Sequence, residues 1–491
     1  MRLRPPLRRS TRGLGRDNGE EQSVLAIDER LPQGAFDARL ISRFNEPGPY
    51  YSSYPSLNRW SVGMESDAYG RALQEFFAAD PKAPIYLYTH IPFCAKLCWY
   101  CICNIEISNN RERIQRFVDV LLREADHLTA FLADNRIRPN VREIHLGGGT
   151  PSHLDHAQLS QVVGRLGQIA DIAALDEFAM EIDPRTIQRD DLPFYHSLGV
   201  DRISFGVQDF DPTVQQKINR IQPFEMVRDL LSPEVRKLFK GVNFDLLYGL
   251  PMQTRETFRR TIELTKELSP DRITLIKYAH VPDVRKHMKM IDKDELPAND
   301  VLPLMFQEAV EELIDAGYVW AGIDNFAKPT DDLGKAARSK TTGRNFSGSS
   351  PGRADNIIGL GPTSTNAFGR YYFQSLYELP QYTDAVNAGR FPVFKGYRLS
   401  EEELIRRDVI FRIQCRQEVD IPAVERTHGI DFKDFFKPEL ERLERFVKEG
   451  MVARDETSFR LTTLGRFFTP HVCRVFDAFL AQNPEYKIHG P

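Results

Sequence analysis

Short runs of β-branched, aliphatic and aromatic residues recur along the middle of the chain. They span 85–91, 143–146, 177–182, 202–207, 242–247 and 272–278. Between the first two runs, apolar residues from Ile114 to Leu132 repeat at steps of three and four, which predicts an amphipathic helix. Strands that alternate with helices form parallel sheets with right-handed crossovers. The pattern therefore predicts an α/β fold, an open or partial barrel of six βα units.

Unusual polar, glycine and cysteine residues stand at the carboxyl ends of these predicted strands. In parallel α/β folds, ligands bind at that edge of the sheet. Taken in the order of the six strands, the residues include Cys94, Gly148, Glu181, Gln208, Asp245 and Ala279. The sequence predicts that all of them meet at one rim.

The regions on either side of the barrel have other patterns. We expect a basic, disordered tail at 1–44, an irregular aromatic arm at 45–70 and the barrel at 71–330. Residues 331–399, first rich in Lys, Thr, Asp, Gly and Ser, are predicted to be a long substrate or cofactor loop and a connection. Residues 400–491 read as a mainly helical domain in which a helix precedes a small hairpin, as in a winged helix.

Composition and charge narrow the function classes. The chain has 491 residues and a net charge of −4, and no apolar run reaches the ~18 residues of a membrane span. The winged-helix pattern raises a DNA-binding alternative, but 400–491 holds 17 Asp and Glu against 15 Lys and Arg, which is unfavourable for a phosphate backbone. The basic start lacks an apolar segment, so a secretory signal is not expected. We expect a cytoplasmic monomer with no nucleic-acid partner and no membrane span.

Four of the six cysteines, Cys94, Cys98, Cys101 and Cys103, fall within ten residues. Six cysteines in a chain of this length exclude a disulfide framework. The spacing C-x3-C-x2-C places three thiolates on one loop, which could hold three irons of a cubane cluster and leave the fourth iron open. Structural zinc and redox-active or incidental thiols remain alternatives from the residues alone.

With its surroundings, the cysteine loop resembles the radical S-adenosylmethionine (SAM) superfamily and, more narrowly, the oxygen-independent coproporphyrinogen III oxidases. The resemblance runs from Gly48 to Ala481. Its further motifs are at 146–151, 181–185, 205–209, 219–220, 245–251, 278–282, 344–346 and 359–361. The extra Cys103 and the Tyr54-Pro55 arm carry the narrower assignment.

The resemblance implies a [4Fe-4S] cluster on Cys94, Cys98 and Cys101, with SAM on the open iron. It implies that Cys103 is a neighbour of the site and not a ligand. The first SAM would contact Tyr88, Tyr100, Gly148, Gly149, Thr150, Glu181 and Arg220, whereas Thr365 would lie around a second cofactor and the substrate. Glycines there would let the backbone approach the methionine part of the cofactor closely. Glu181 and Arg220 carry charges that match its amino and carboxylate groups.

The resemblance also implies a second SAM and a tetrapyrrole substrate. The second SAM would contact Gly149, Gln208, Asp245, Leu247 and Ala279. A substrate with four carboxylates needs cations and an aromatic or apolar cradle, for which the candidates are Arg59, Lys277, Arg344, Tyr51 and Tyr54. An electron donor such as flavodoxin or ferredoxin is expected.

Five positions depart from the family pattern. They are Tyr50, Lys277, Asn325, Ser349 and Thr365, in places where we expect an Arg, a neutral polar residue, a His, a Tyr and an aliphatic residue. The expected function is radical oxidative decarboxylation of two propionates of coproporphyrinogen III to vinyl groups. The departures keep open a methyl transfer or another radical reaction on a different substrate, and a haem-trafficking role is a further alternative.

Overall fold

The computed structural model describes Leu40 and residues 51–482. The predicted tail, apart from Leu40, and Tyr50 lie outside the described residues. In the described part, strands β1 to β20 in chain order are Ser61–Val62, Pro84–Ile91, Phe93–Cys94, Glu106–Ile107, Asn140–Gly148, Glu177–Ile182, Arg202–Gln208, Gly241–Tyr248, Arg272–Lys277, Val319–Ala321, Asn325–Ala327, Gly343–Asn345, Gly348–Ser350, Asn356–Leu360, Thr365–Phe368, Tyr371–Ser375, Val393–Arg398, Glu418–Asp420, Val452–Arg454 and Ser458–Leu461.

Helices connect these strands and cover the sheet. In the same residues, α1 to α18 are Ser66–Ala79, Arg111–Asp134, His156–Leu166, Asp191–Ser197, Pro212–Lys217, Phe224–Leu230, Pro233–Arg236, Arg255–Leu268, Leu302–Asp315, Asp332–Arg338, Leu379–Asn387, Glu401–Phe411, Ile421–His428, Phe432–Phe435, Lys437–Lys448, Thr463–Arg466, Thr469–Cys473 and Ala478–Gln482. A π-helical turn, Arg412–Arg416, continues α12. Of these helices, none combines the length and the hydropathy of a membrane span.

The six predicted strands are neighbours in one sheet and run parallel in chain order, as β2, β5, β6, β7, β8 and β9. This confirms the predicted α/β order. The helix predicted from the spacing of Ile114 to Leu132 is also present, as α2, and buries most of those apolar residues. Because the strands are parallel, all six carboxyl ends lie at one edge of the sheet.

The sheet is larger than predicted, because it has thirteen strands within the described residues. Strand β14 pairs with β2 in parallel, and β15, β16, β17 and β1 continue that side in antiparallel order. Strands β11 and β10 extend the other side. The predicted long loop at 331–399 is therefore wrong, since most of it forms α10, α11 and strands. These strands are three to six residues long, and short strands carry a weak local signal.

The aromatic arm does not stay irregular to its predicted end, because α1 begins at Ser66. The C-terminal residues, which pack against the arm, form the predicted winged-helix-like domain. Its strands β18, β20 and β19 make an antiparallel sheet, and α15 packs beside the hairpin. Tyr51 and Tyr54 of the arm are buried in the core of this domain. The arm thus joins the C-terminal domain to the main sheet.

Candidate active site

A cavity of about 540 Å³ opens at the carboxyl ends of the parallel strands. The cysteine loop forms one side of it, strands β5 to β9 form another, and residues of β11 and of the β12–β13 hairpin complete the wall. Most of the predicted site residues line this cavity. They are Cys94, Cys98, Tyr100, Cys101, Cys103, Gly148, Gly149, Thr150, Glu181, Gln208, Arg220, Asp245, Leu247, Lys277 and Ala279.

The cysteine loop is held at both ends by backbone and side-chain bonds. Cys94 ends the short strand β3, which pairs with β4 on the far side of the loop. The Cys94 Sγ lies 3.2 Å from the hydroxyl of Thr150. The N–H of Trp99 donates to the carbonyl of Ile218 at 3.0 Å. These contacts fix the loop against the glycine-rich turn and the carboxyl end of α5.

Two arginines approach the Cys98 sulfur. Nη2 of Arg185 lies 3.3 Å from this Sγ and Nη1 of Arg220 lies 3.5 Å from it. Both arginines also bind Asp183. Burial alone would raise the pKa of Asp183, but the charges of Arg220 and Arg185 outweigh burial and lower this pKa to about 2. Two guanidinium groups against one carboxylate leave a net positive charge beside the Cys98 sulfur.

The residues present fit an iron–sulfur cluster and a bound amino acid. Arg220 is buried, and in the described residues its Nε has no hydrogen-bond partner, so a donor remains for a ligand carboxylate. In the same residues, no three His, Cys, Asp or Glu side chains surround a point that one metal ion could occupy. That finding concerns single-ion sites, because the three cysteines of a cubane each bind a different iron.

The run of three glycines that ends β5 and begins the turn after it is constrained by the packing of the protein itself. A Cβ at Gly149 would lie 2.5 Å from the carbonyl oxygen of Pro92, and a Cβ at Gly147 would lie 2.8 Å from Glu181 Oε1. Gly148 has a φ of 117°, which side chains rarely adopt. The structure therefore supplies a second reason for these glycines, besides the predicted approach of a cofactor: they let the cysteine loop and Glu181 pack directly on the strand end.

Glu181 projects from β6 into the cavity. Its Oε1 lies 3.0 Å from Nε2 of His145, and its Oε2 accepts the N–H of Gly148 at 3.1 Å. Tyr88 stacks on His145 with ring centroids 5.8 Å apart. Tyr88 is thus behind the cavity wall, where it packs on the histidine that orients Glu181.

Gln208 and Asp245 form the opposite wall. Gln208 has a φ of 68°, a left-handed conformation that is costly for a residue with a side chain and that often marks a functional site. Asp245 accepts from the Ser204 hydroxyl and from Asn243 Nδ2, both at 2.9 Å. Burial, followed by the charge of Glu181, raises the pKa of Asp245. A partner that donates hydrogen bonds, such as a ribose hydroxyl, would favour the ionised form.

Six predicted site residues do not line this cavity: Tyr88 lies behind its wall, and Tyr51, Tyr54, Arg59, Arg344 and Thr365 lie elsewhere. The Tyr51 hydroxyl donates to Asp477 at 2.8 Å, the backbone N–H of Ala478 donates to the Tyr54 hydroxyl at 3.2 Å, and the Arg59 guanidinium lies over the Phe479 ring. These three contact the C-terminal domain because an arm of aromatic residues completes its apolar core. Arg344 faces another cavity. Thr365 is on β15, outside the 540 Å³ cavity, which we call the reaction cavity.

Of the five departures from the family pattern, the structure brings three to the reaction cavity: Lys277, Asn325 and Ser349. Asn325 Nδ2 lies 3.2 Å from the Ser349 hydroxyl and donates to Asp324 at 2.5 Å. Two of the departures are therefore partners in one polar contact. Both are smaller than the residues that we expected, so this end of the cavity is wider.

Sequence reasoning missed His145, Asp183 and Arg185. All three touch predicted site residues. Asp183 and Arg185 stand inside the motif at 181–185, which could have pointed to them. His145 had a weaker signal, because a histidine within an apolar strand is ordinarily a core residue.

Known proteins resemble the chain over most of its length. The Radical SAM superfamily model matches residues 88–265, and the HemN C-terminal domain model matches residues 399–468. The oxygen-independent coproporphyrinogen III oxidase of Salmonella typhimurium is 35% identical over 447 residues, which cover 91% of this chain and 96% of that protein. The enzyme of the same name from Synechocystis is 33% identical over 462 residues, covering 93% and 98%.

A solved structure agrees with these relatives. Coproporphyrinogen III oxidase (HemN) from Escherichia coli, described as a radical SAM enzyme, is 34% identical to the chain. It superposes with a TM-score of 0.82 and covers 91% of this chain and 99% of that one. The similarity thus spans both the barrel strands and the C-terminal domain, in sequence and in structure. The chain belongs to the oxygen-independent coproporphyrinogen III oxidase family of radical SAM enzymes.

Proposed function

We propose that this chain catalyses the oxidative decarboxylation of two propionates of coproporphyrinogen III to vinyl groups. The observation that carries the proposal is that one cavity holds three loop thiols, a carboxylate, Glu181, and a buried arginine with a free donor, Arg220. Family membership supplies the substrate, since the relatives are named for it.

The family uses a [4Fe-4S] cluster and SAM. In this chain Cys94, Cys98 and Cys101 would hold the cluster. Such a cluster, when bound and reduced, would supply the electron for reductive cleavage of SAM and so the means to remove a hydrogen atom from the substrate. Glu181 would bind the amino group of SAM, and Arg220 would bind its carboxylate through the free Nε.

The far wall supports a second SAM. Asp245 would bind ribose hydroxyls, and the backbone around Gln208 and Ala279 would hold the rest of the molecule. Lys277 stands at the cavity mouth, where it would bind a substrate carboxylate. Arg202 and Arg272 also line the cavity, but each is paired with Glu177 and Asp331 and so is neutralised.

Anaerobic incubation of the reconstituted protein with SAM, dithionite and coproporphyrinogen III tests the proposal. Mass spectrometry should detect protoporphyrinogen and 5′-deoxyadenosine, and Cys98→Ala should form neither. Cys473→Ala is the matched control, because Cys473 is a buried thiol of the C-terminal domain core. Cofactor cleavage without any vinyl product would reject the proposal.

A related radical reaction, such as methyl transfer, is a second candidate because Asn325 and Ser349 widen the cavity. It predicts that S-adenosylhomocysteine accumulates beside 5′-deoxyadenosine. Asn325→His separates the two: if this substitution creates vinyl formation that the wild type lacks, the departures mark a change of function. Equal vinyl formation in both proteins supports the decarboxylation.

We further propose a cytoplasmic monomer that receives electrons from a flavodoxin or ferredoxin. All six cysteines are free thiols, as expected in a reducing compartment. Sedimentation of the cluster-loaded protein tests the monomer, and SAM cleavage driven by each reduced donor tests the partner.

A further inference from the structure

A short basic segment, residues 284–290, follows β9 and packs against the cysteine loop. Nε2 of its His287 lies 2.7 Å from the carbonyl oxygen of Cys101. Its Met288 is buried in an apolar cluster on which Trp99 of the loop also packs. The basic segment is therefore in direct contact with the loop that carries the predicted cluster ligands.

The other side of the basic segment is open to solvent. None of its residues lines the reaction cavity. Val284 is 68% exposed and Met290 is 59% exposed, although both are large apolar residues. Exposed apolar side chains that are grouped on a surface mark interaction sites, whereas single ones are ordinary. The segment thus presents apolar groups to a partner that comes from outside the cavity.

A third exposed apolar residue, Tyr377, lies beside the same part of the loop. Its carbonyl accepts from Nδ2 of Asn104, the residue after Cys103, at 3.1 Å. Burial raises the pKa of Tyr377, and the positive charge of Arg285 opposes that rise. The Arg285 guanidinium is therefore near this ring, so the basic segment and Tyr377 belong to one surface.

Positive charge accompanies these apolar side chains. Arg285, Lys286 and Lys289 belong to the basic segment, and within residues 51–482 none of the three forms a salt bridge. Asp283 and Asp292 stand only beyond its two ends. The middle of the surface is therefore positive, whereas the whole chain has a net charge of −4. A local positive surface on an otherwise negative molecule orients an acidic partner towards itself.

The position of this surface indicates what the partner does. An electron passes between two proteins only when their redox groups come close together. A partner on the basic segment would be separated from the Cys101 backbone by the side chain of His287 alone. Redox encounters also use small interfaces, below about 1,200 Å², which a single short segment with its neighbours can supply.

We propose that the basic segment and Tyr377 form the docking surface for an acidic protein that donates single electrons. Each encounter oxidises the donor by one electron and reduces the cluster by one, and no bond is formed or broken. The proposal rests on the proposed function, since only an enzyme with a cluster to be reduced needs such a donor.

Reduced flavodoxin, an acidic one-electron donor, tests the proposal on the cluster-loaded protein. Dithionite is the comparison, because a small reductant needs no docking surface. In Lys286→Glu/Lys289→Glu the KM for flavodoxin in 5′-deoxyadenosine formation should rise at least about tenfold, since two attractive charges become repulsive. The rate with dithionite should equal that of the wild type. Added salt should raise the KM of the wild type more than that of the variant.

Lys82→Glu/Lys237→Glu is the matched control, because it changes the net charge by the same amount. Both lysines are exposed and shortly precede β2 and β8, at the edge of the sheet opposite to the cysteine loop. This protein should keep the wild-type KM for flavodoxin. Val284→Ser/Met290→Ser tests the apolar part: it should raise the KM and leave the dependence on salt unchanged.

Calorimetric titration with oxidised flavodoxin measures docking without turnover. The Kd of Lys286→Glu/Lys289→Glu should be at least about tenfold higher than that of the wild type, and the control should match the wild type. Circular dichroism and iron content establish that each variant folds. If the charge-reversed protein does not fold, Lys286→Gln/Lys289→Gln replaces it.

An equal KM and Kd for flavodoxin in the wild type and the charge-reversed protein would overturn the proposal. So would a wild type that cleaves SAM with dithionite but not with flavodoxin. A raised KM for coproporphyrinogen III in the charge-reversed protein would assign the lysines to the substrate, and an altered sedimentation coefficient would assign them to a second copy of the chain. Loss of vinyl product with flavodoxin-driven SAM cleavage intact would reject only the proposed function.

Discussion

The carboxylate of Glu181 is oriented by two groups on the neighbouring strand, His145 and the N–H of Gly148. Both bonds leave the carboxylate facing the cavity, where 39% of the side chain is exposed. The charge is therefore placed for a ligand cation and not consumed by an internal salt bridge with Lys or Arg.

Replacing Glu181 with Gln should weaken SAM binding by tenfold or more, because a charge-assisted hydrogen bond to the amino group contributes about 1.5–3 kcal/mol. The measurement is the KM for SAM in 5′-deoxyadenosine formation with dithionite. Glu75→Gln, an exposed glutamate on α1, is the control and should keep the wild-type KM. An unchanged KM in Glu181→Gln would place the cofactor's amino group elsewhere.

For single residues, the sequence predicted which side chains carry suitable chemical groups better than it predicted what those side chains contact. Glu181 and Asp245 lie near the carboxyl ends of β6 and β8, and Cys94 lies just beyond β2, so the parallel order of these strands brings them to one cavity. Tyr51 could not be assigned from the sequence, because a tyrosine in an irregular arm looks the same whether its hydroxyl meets a substrate or a buried acid. Only the packing of the C-terminal core decides between them.

Among the elements, the turn after β5 is the most constrained. Its glycines pack on the cysteine loop, on His90 and on Glu181, with no room for a methyl group. The turn and the loop therefore hold each other in place, and a change in one should displace the other.

Gly149→Ala should lower the iron content of the reconstituted protein and its thermal stability, because the added methyl group would meet the backbone at Pro92. Gly164→Ala in helix α3 is a matched control, since a Cβ there meets nothing within 4 Å. We expect this control to raise stability by about 0.5–1 kcal/mol, the usual difference between Gly and Ala in a helix. Iron analysis and thermal unfolding check both proteins; normal iron in Gly149→Ala would contradict the constraint.

At the amino ends of the strands, a group of ion pairs that contributes to the cavity wall joins β6, β7 and β9. Glu177 on β6 pairs with Arg202 on β7 and Arg272 on β9, and Asp331 binds both arginines. Burial would raise the pKa of Glu177, but the two arginines lower it from 4.5 to about 2. A lowered pKa gives stability that is present above pH 4.5 and is lost as the pH falls towards 2.

Glu177→Gln should therefore destabilise the protein by about 3 kcal/mol at pH 7, since it leaves two buried arginines without this partner. The difference from the wild type should shrink as the pH falls from 4.5 towards 2. Urea unfolding of the cluster-free protein at several pH values measures it. The exposed pair of Arg260 and Glu263 gives the control, Glu263→Gln, which should change stability by less than about 0.5 kcal/mol at every pH. A pH-independent loss in Glu177→Gln would show that packing, not charge, is responsible.

The elements themselves were predicted where the pattern is long and local, as in β2 and α2. The strands β14 to β17 were missed, because each is short and carries a weak local signal. Asn356–Leu360 has an apolar run, but its pairing with β2, which is distant in the sequence, could not be read from that run.

For the whole molecule, the arm connects the main sheet to the C-terminal domain. Trp60 stacks on Tyr372 of the sheet, while Tyr51 binds Asp477 of the domain. The contacts of the arm are thus structural, whereas the sequence predicted that Tyr51 and Tyr54 bind substrate.

Tyr51→Phe should lower stability by about 2 kcal/mol, because the buried acid Asp477 loses a hydrogen bond. It should leave the KM for coproporphyrinogen III unchanged. Unfolding in urea and steady-state kinetics check the two effects separately, and Tyr377→Phe, an exposed tyrosine, is the control for stability. A raised KM with unchanged stability would restore Tyr51 to the substrate site.

The pairing of β14 with β2 also has a consequence for synthesis at the ribosome. The strand that leads into the cysteine loop gains its second neighbour only when residue 360 has been made. Until then one edge of β2 is unpaired, and the cysteine loop that follows β2 lies at the edge of an incomplete sheet. Insertion of the iron–sulfur cluster should therefore follow completion of the sheet and not accompany emergence of the cysteine motif.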